Sequence, residues 1–296
     1  EGQVCVLENL ASDDDIGPGA EAFARTLFEF VDMYVGDAPR LLGFESATTT
    51  ILPRLFERRV AGRQMRRELE AVAHVRSNAD RPRLFIWGGN SLTERLPLLQ
   101  RLLAPGDQVF FVGVPANTLV RARGGATGRS TIEENYLAGA RTLLDQLDGR
   151  WILPEDFAVG ESPKAVVPEV ARAGEIGPLD MALDLGPVAR ASLAARIAEA
   201  RSVIWCGNVG FHRNPAFQAG TRALLEALAA TSAFTLVAGD DSVAAAQALG
   251  EDLKDRIGHV SMGGPATLSL LAESKLIGLE ALRGMSHDSA HTSDRR

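Results

Sequence analysis

The sequence predicts an α/β fold built on a six-stranded, doubly wound parallel sheet. Six short apolar, β-prone runs each end in glycine or a small turn and are followed by a helical pattern, the alternation typical of this class. The runs are 84–87, 109–112, 151–153, 203–205, 234–237 and 259–262. Ligands bind such sheets at the carboxyl ends of the strands, so the turns after these runs are the candidate functional positions.

The helices between these runs are predicted from apolar residues at helical spacing, with Ser91 as a candidate N-cap for the first of them. The apolar stripes cover 92–103, 132–147, 215–228 and 243–249. Stripes of this kind bury one helix face against a sheet. They are therefore assigned to the core and given no functional role.

The N-terminal part predicts a partial second α/β domain over residues 1–59. It carries two strand-like runs, 4–7 and 32–35, and a helical pattern near 19–30. Residues 60–80 then predict an interdomain helix with one charged, solvated face.

The larger domain is predicted to run from 81 to 283, starting at the punctuating pair Arg81-Pro82. Residues 284–296, rich in Ser, His and Asp, predict a disordered tail. Ser286, His287 and Asp288 stand side by side there, and three adjacent residues cannot adopt the oriented geometry of a catalytic triad. No catalytic residue is therefore assigned to the tail.

Composition and charge exclude several classes of function. The chain has 296 residues and a formal net charge of −7, which argues against a nucleic-acid surface because phosphate neutralisation needs clustered Lys and Arg. No window approaches 18 continuous apolar residues, so no membrane span is expected. Cys5 and Cys206, the only cysteines, lack the spacing of metal ligands, and the histidines are scattered. No metal site is predicted from these residues.

Several motifs carry a more specific message. They lie at 81–89, 183–187, 203–210, 216–221, 241–242 and 259–264. In order and spacing, the chain from 4 to 282 resembles the phosphoglycerate kinase family. The resemblance implies that the larger domain is the nucleotide-type, C-terminal domain of that family. It also implies transfer of a phosphoryl group between an acyl phosphate and ADP, which needs cations and backbone N–H groups around the phosphoryl.

The turns depart from the family's pattern at the positions expected to hold the nucleotide. By resemblance, Ser91 replaces the first phosphate-binding lysine, whereas Arg95 keeps the charge of the second. The other departures are Val112-Gly113-Val114 for a glycine triplet, Cys206-Gly207-Asn208 for an Asn-Gly-Pro turn, Arg213 for a ribose-binding glutamate, Asp240 in a glycine run, and Pro265 for a third glycine. The two valines are expected to fill space where a base would lie, and Asp240 to repel phosphate at a helix N-terminus.

Losses are also expected on the triose side. The segments 9–12 and 43–46 stand where the family has its two basic motifs. In this chain neither segment contains Arg or Lys. The opening strands of the family, which would lie beside the run at 4–7, have no counterpart in the sequence. Unpaired strand edges are costly to expose, so a covering partner is expected.

Eleven residues remain as vestigial nucleotide-binding candidates under the resemblance. They are Gly88, Gly89, Arg95, Gly113, Asn117, Gly207, Gly210, Asp241, Ser242, Gly263 and Gly264. The alternative interpretation is that these residues hold tight strand-to-helix turns that the fold requires with or without a ligand. Asp241 is expected to meet a metal only if a magnesium nucleotide binds.

The sequence leads to the hypothesis of a catalytically inactive phosphoglycerate-kinase-like protein that serves as a structural or scaffold subunit. It is expected to bind no cofactor and no nucleic acid, and to associate with other protein subunits that cover the incomplete N-terminal domain. A mitochondrial or plastid location is expected, with the cytoplasm as the alternative. The alternative function is phosphoglycerate kinase, or a sensor with weak or altered activity, and its cofactor is Mg-ADP or Mg-ATP.

Overall fold

The computed structural model describes residues 3–8, 10, 13–77, 80–250 and 252–283. The predicted tail at 284–296 lies outside the described residues. The described strands, in chain order, are β1 Tyr34–Gly36, β2 Arg59–Ala61, β3 Arg83–Trp87, β4 Gln108–Phe111, β5 Ala126–Thr127, β6 Trp151–Ile152, β7 Asp156–Gly160, β8 Glu169–Arg172, β9 Glu175–Ile176, β10 Met181–Leu185, β11 Ser202–Cys206, β12 Phe234–Ala238 and β13 His259–Val260.

The α-helices of the same residues include the long helix predicted between the two parts of the chain. In chain order they are α1 Asp13–Ile16, α2 Ala20–Phe28, α3 Leu52–Leu55, α4 Arg63–Arg76, α5 Leu96–Leu102, α6 Gly113–Ala122, α7 Leu137–Gln146, α8 Pro187–Glu199, α9 Ala219–Ala230, α10 Asp240–Leu249, α11 Pro265–Leu271 and α12 Ile277–Arg283. A 3₁₀ turn, Pro39–Gly43, lies between β1 and α3.

The prediction of a six-stranded parallel sheet is confirmed. Its strand order is β13-β12-β11-β3-β4-β6, and every neighbouring pair is parallel. All five residues of β3 and of β11 are buried. A parallel sheet covered by helices on both faces buries whole strands, which explains why the runs read as continuous apolar segments.

Two hydrophobic clusters cover the two faces of this sheet. Alternate side chains of β3 divide between them, since Phe85 and Trp87 belong to one cluster and Leu84 and Ile86 to the other. The first cluster receives α4, α5, α7 and α11, and the second receives α8, α9 and α10. This period-two division fixes the register of the strands and brings the turns after β3, β4, β11, β12 and β13 to one edge.

Smaller sheets flank the main one. β10, β7 and β8 form an antiparallel sheet that the sequence analysis did not predict, and β1 pairs with β2 in a two-stranded parallel sheet. The strand predicted at 4–7 is wrong, because these residues are exposed and form no ladder with any described strand. The divisions at 59, 80 and 283 stay predictions. None of the helices in the described ranges combines the length and apolarity needed to cross a membrane.

A buried ion pair fastens the start of β3 beneath the sheet. Asp107 is fully buried and accepts hydrogen bonds from Nη2 of Arg83 at 2.6 Å and from Nε of the same side chain at 3.1 Å. The guanidinium also donates to the carbonyl oxygens of Val75 and Leu102, at 2.7 and 2.6 Å. The pair therefore ties the start of β3 to the C-terminal ends of α4 and α5.

We expect Asp107→Ala to lower the free energy of unfolding by roughly 3–5 kcal/mol, because it leaves the Arg83 guanidinium buried without its carboxylate. Urea denaturation at pH 7 measures the change. Glu21→Ala is the matched control, since it breaks the exposed pair with Arg25 and should change stability by less than about 1 kcal/mol. Equal stability of the two variants would contradict the prediction.

Candidate functional site

Glycine turns of the parallel strands meet at one edge and lie against one another. Gly207, which follows β11, has φ +90°, and a Cβ there would lie 2.2 Å from the carbonyl oxygen of Gly88. A Cβ on Gly88, which follows β3, would lie 2.3 Å from the carbonyl oxygen of Asn208. These two glycines are required by the close approach of the backbones, so their presence is explained by the fold alone.

A cavity of about 290 Å³ opens between these turns and the end of β10. Its backbone wall includes Gly89, Gly113 and Gly210, and Val114 also lines it. The expectation that the two valines fill the space of a base stays a prediction. Val112 is completely buried in the sheet core, and Val114 forms a wall beside an open volume.

Three side-chain oxygens at the wall of this cavity have no hydrogen-bond partner in the described structure. They are the buried amide oxygens of Asn117 and Asn208 and Oδ1 of Asp184. The amide nitrogen of Asn117 donates to the carbonyl oxygen of Thr131 at 3.3 Å, which orients its oxygen. A buried acceptor without a partner costs roughly 1–3 kcal/mol, so these oxygens can accept hydrogen bonds from water or from a ligand in the cavity.

Asp184 is 3% exposed, and its Oδ2 accepts a hydrogen bond of 2.6 Å from the backbone N–H of Gly220. Oδ1 packs between two glycines, since a Cβ on Gly220 or Gly210 would lie 2.1 or 2.4 Å from it. Burial raises the pKa of Asp184 to about 7, although the Gly220 N–H opposes this shift. A substantial fraction of the carboxyl is therefore protonated near neutral pH.

Asp184→Asn is expected to stabilise the protein at high pH. Because the folded-state pKa is raised above its ordinary value of 3.8, the carboxyl's contribution is complete below pH 3.8 and is lost as pH rises through about 7. The amide cannot ionise, so at pH 8 the variant should gain on the order of 3 kcal/mol in unfolding free energy, with little gain at pH 4.

Urea denaturation of both chains at pH 4, 6 and 8 checks this expectation. The exposed Asp145 of α7 supplies the control variant, Asp145→Asn, which should show no such pH-dependent gain. A constant difference between Asp184→Asn and the parent chain across this pH range would contradict the assignment of the titration to Asp184.

Arg95 places a cation at the ends of β3 and β11. Its Nη1 lies 3.8 Å from the Cys206 sulfur, at the end of β11, and 3.0 Å from the position that a Cβ on Gly89 would take. Within the described ranges, no carboxylate oxygen approaches the guanidinium within ion-pair distance. Burial raises the pKa of the Cys206 thiol to about 11, so the guanidinium faces a neutral sulfur. Its charge is thus available to an anion.

Arg95 lines a second cavity, of about 500 Å³. This cavity is also lined by Asp240 and Asp241 in the first turn of α10, by Gly239 and by Pro265. The N-terminus of a ten-residue helix carries unpaired N–H groups and a partial positive charge. Arg95 and this helix end therefore face one volume from two sides.

Ser242 serves the turns and is not free for a ligand. Its buried hydroxyl shares its one proton between the carbonyl oxygens of Ala238 and Gly239 and accepts from the N–H of Gly207 at 3.2 Å. Gly263 also has a structural role, because a Cβ there would lie 2.1 Å from the Thr267 hydroxyl and the close packing requires glycine. Both residues hold the strand ends in place.

Ser91, in the turn after β3, also has a hydrogen-bond partner within the protein. The Ser91 hydroxyl donates to the Glu133 carboxylate at 2.8 Å, and the N–H of Leu92 donates to the same carboxylate at 2.6 Å. Burial raises the pKa of Glu133, but these hydrogen bonds and those from Thr93 outweigh it and lower the pKa overall. Ser91 is thereby held in the turn before α5.

The sequence analysis missed Arg40. Its Nη1 and Nη2 donate to the two carboxylate oxygens of Asp240 at 2.5 and 3.0 Å, so the negative charge expected to repel phosphate has a paired cation. Two hundred positions separate the residues, and no motif links them. Only the folded chain places the 3₁₀ turn beside α10.

Of the predicted candidates, the structure therefore groups Gly89, Gly113, Asn117 and Gly210 at the first cavity. Arg95 and Asp241 line the second. Gly264 lies against the Arg40–Asp240 pair, with a hypothetical Cβ 2.7 Å from Asp240 Oδ1. The remaining candidates, Gly88, Gly207, Ser242 and Gly263, shape the turns.

Comparison with known proteins identifies relatives of the chain. A family model described as phosphoglycerate kinase matches residues 1–274. The phosphoglycerate kinase of Thermomicrobium roseum is 36% identical over 285 residues, which cover 95% of this chain and 72% of the relative. That of Salinispora tropica is 35% identical over 289 residues, covering 95% of this chain and 71% of the relative.

Solved structures agree with these relatives. The phosphoglycerate kinase of Coxiella burnetii superposes with a TM-score of 0.79 at 28% identity, covering 89% of this chain and 68% of that one. The enzyme from Pyrococcus horikoshii gives a TM-score of 0.78 at 23% identity, covering 92% and 70%, and supports the fold alone.

These findings overturn the hypothesis of a catalytically inactive scaffold subunit without a cofactor. The relatives are named as kinases, and nothing in the described residues shows inactivity. The hypothesis gave too much weight to single substitutions in the turns. The sequence did not reveal the cavity beside Val114 or the pairing of Asp240 with Arg40. By the family match and the identity and coverage of its relatives, this chain belongs to the phosphoglycerate kinase family.

Proposed function

We propose that the chain acts as a phosphoglycerate kinase, a phosphotransferase that uses a magnesium adenine nucleotide. The observation that carries the proposal is the Arg95 guanidinium, which lines the second cavity, lies beside Gly89 of the first, and has no ion-pair partner among the described residues. The first cavity has oxygens in its wall that lack a partner among the described residues, and the second is lined by the N-terminus of α10. This arrangement suits a nucleotide, whose uncharged nucleoside and anionic phosphates require different surroundings.

The nucleoside is assigned to the first cavity. Its volume of about 290 Å³ accommodates a purine, and Val114, Phe157 and Leu183 offer apolar contacts to a ring. The amide oxygens of Asn117 and Asn208 accept hydrogen bonds, which the amino group of a base or the hydroxyls of a ribose can donate. Binding would satisfy acceptors that have no partner among the described residues.

The phosphates are assigned to the second cavity. Arg95 and the helix N-terminus attract anionic oxygens, and a fixed guanidinium stabilises charge that develops on a transferred phosphoryl group. The Asp241 carboxylate, in the first turn of α10, is the candidate to hold the magnesium ion. Magnesium supplies neutralisation of the phosphate charge. The turns at the strand ends would orient the phosphates and exclude water from them.

We also propose that another protein subunit covers the small β1–β2 sheet. Its surroundings expose apolar side chains, with Met33 50%, Val35 50% and Val60 48% exposed. Contiguous exposed apolar side chains mark surfaces of association. Light scattering coupled to size-exclusion chromatography tests this part, and a monomer with unchanged mass over a wide concentration range would count against self-association.

The catalytic proposal is tested by ADP release from Mg-ATP in the presence of 3-phosphoglycerate, together with calorimetric titration of Mg-ADP. Turnover that requires both substrates supports the proposal. Binding of Mg-ADP without turnover would favour a nucleotide-binding protein, and the absence of both binding and turnover would refute the assignment of the two cavities.

A further inference from the structure

The Arg40–Asp240 pair joins the N-terminal part of the chain to the phosphate end of the proposed site. The two hydrogen bonds, at 2.5 and 3.0 Å, engage both oxygens of one carboxylate. Asp240 is the first residue of α10 and lines the same cavity as Arg95. A phosphate bound beside Arg95 therefore lies next to the Asp240 carboxylate.

The turn that carries Arg40 is anchored. Leu42, two residues further on, is 3% exposed and packs in the core with α11 and α12. Gly278 of α12 approaches its backbone so closely that a Cβ would lie 3.0 Å from the Leu42 Cα. The guanidinium is thus presented from a fixed platform, although its own side chain is 56% exposed.

The turn before α11 accommodates the pair. Gly264 has φ +53°, and a Cβ there would lie 2.7 Å from Asp240 Oδ1 and 2.8 Å from Arg40 Nη1. The paired side chains therefore lie directly on this glycine. The pair occupies the place where the ends of β12 and β13 face each other.

An unpaired Asp240 would repel a neighbouring phosphate, since like charges at short range disfavour each other. A guanidinium that binds both carboxylate oxygens fixes the carboxylate and offsets its charge. We propose that Arg40 is a positioning residue of the phosphate end, which holds the Asp240 carboxylate and neutralises it beside the bound nucleotide. This inference rests on the proposed function, because it concerns the phosphates of that nucleotide.

Calorimetry with Mg-ADP and with adenosine tests the role of Arg40. Arg40→Ala should weaken Mg-ADP binding by about three- to tenfold, because Asp240 is left unpaired, and should leave adenosine binding unchanged. Adding Asp240→Asn to Arg40→Ala should restore affinity, because the repelling charge is gone. At roughly 1 M salt, where the Debye length is about 3 Å, the difference should shrink.

The control is the pair between Arg76 and Glu273, which is also exposed, has an N–O distance of 2.5 Å and joins residues 197 positions apart. Arg76→Ala should leave Mg-ADP affinity unchanged. If Arg40→Ala binds Mg-ADP like the parent chain, or if Asp240→Asn fails to rescue it, the role of Arg40 is refuted while the proposed function stands. If neither the parent chain nor Asp240→Asn binds Mg-ADP, the proposed function is refuted and the inference fails with it.

Discussion

Arg95→Ala should lower kcat/KM for phosphoryl transfer by on the order of 10²-fold, the largest effect on activity that we expect from one substitution. The guanidinium has no carboxylate partner among the described residues, so its removal leaves no internal charge unbalanced. Protein stability should therefore change little, by less than about 1 kcal/mol. Adenosine binding should also persist, because the first cavity keeps its oxygens and its apolar wall.

Steady-state kinetics with Mg-ATP and 3-phosphoglycerate measure this effect. Arg95→Lys should recover part of the activity, since it keeps the charge but loses the planar fork of donors. Arg196→Ala on the outer helix α8, where Arg196 faces Glu199, is the control with unchanged kinetics. An Arg95→Ala variant with parental kcat/KM would show that this guanidinium does not act on the phosphates.

Glu68→Ala should cause the largest loss of stability near the site, roughly 3–5 kcal/mol, because it leaves several buried donors without an acceptor. Glu68 is 1% exposed on α4 and accepts from Ser261 Oγ at 2.6 Å, from the N–H of Met262 at 3.1 Å and from the Thr267 hydroxyl. The carboxylate also bonds His259 Nε2 at 2.9 Å. Removing it loosens the turn after β13.

The pH dependence of this contribution has a definite sign. Burial on its own raises the pKa of Glu68, but the hydrogen bonds from His259, Ser261, Thr267 and Met262 outweigh it and lower the pKa to about 2. The stabilisation is therefore complete above the ordinary pKa of 4.5 and is lost as pH falls from there toward 2.

Urea denaturation between pH 2.5 and about 7 separates this contribution from general acid effects. Glu68→Gln keeps the shape of the side chain but does not ionise, so its difference from the parent chain should shrink as pH falls. Glu70→Gln on the exposed face of the same helix serves as the control and should show a small difference throughout. A Glu68→Gln difference that is independent of pH would contradict the assignment.

The sheet was predictable because its strands are buried on both faces. The runs at 84–87 and 203–205 are continuous apolar segments bounded by glycine, and the structure places β3 and β11 over them. In the antiparallel sheet β8 is largely exposed and carries no apolar stripe, and the buried strand β7, Asp156–Gly160, has only the short apolar run 157–159, so neither strand was predicted. The run at 4–7 is apolar but exposed and forms no strand. A strand needs a neighbouring strand to pair with, and the local sequence does not show whether one is present.

The site was predictable only where local geometry decides it. Glycines at strand ends indicate close backbone approaches. A serine such as Ser242 does not indicate from sequence whether its hydroxyl bonds a turn or a ligand. Arg40 carries no local signal, because its partner lies 200 positions away. Whether the Val114 side chain lines or fills the cavity depends on how α6 packs on the sheet. The spacing of residues in the sequence does not predict that packing.

Ser242 has a further implication for motion. One hydroxyl links the backbone beyond β11 to the carbonyls that precede α10, so the two turns are coupled and should move together. Rearrangement during turnover should accordingly carry this edge as a single rigid body, with bending confined to segments outside it. Amide hydrogen exchange at Gly207 and at the first turn of α10 should then slow or quicken together.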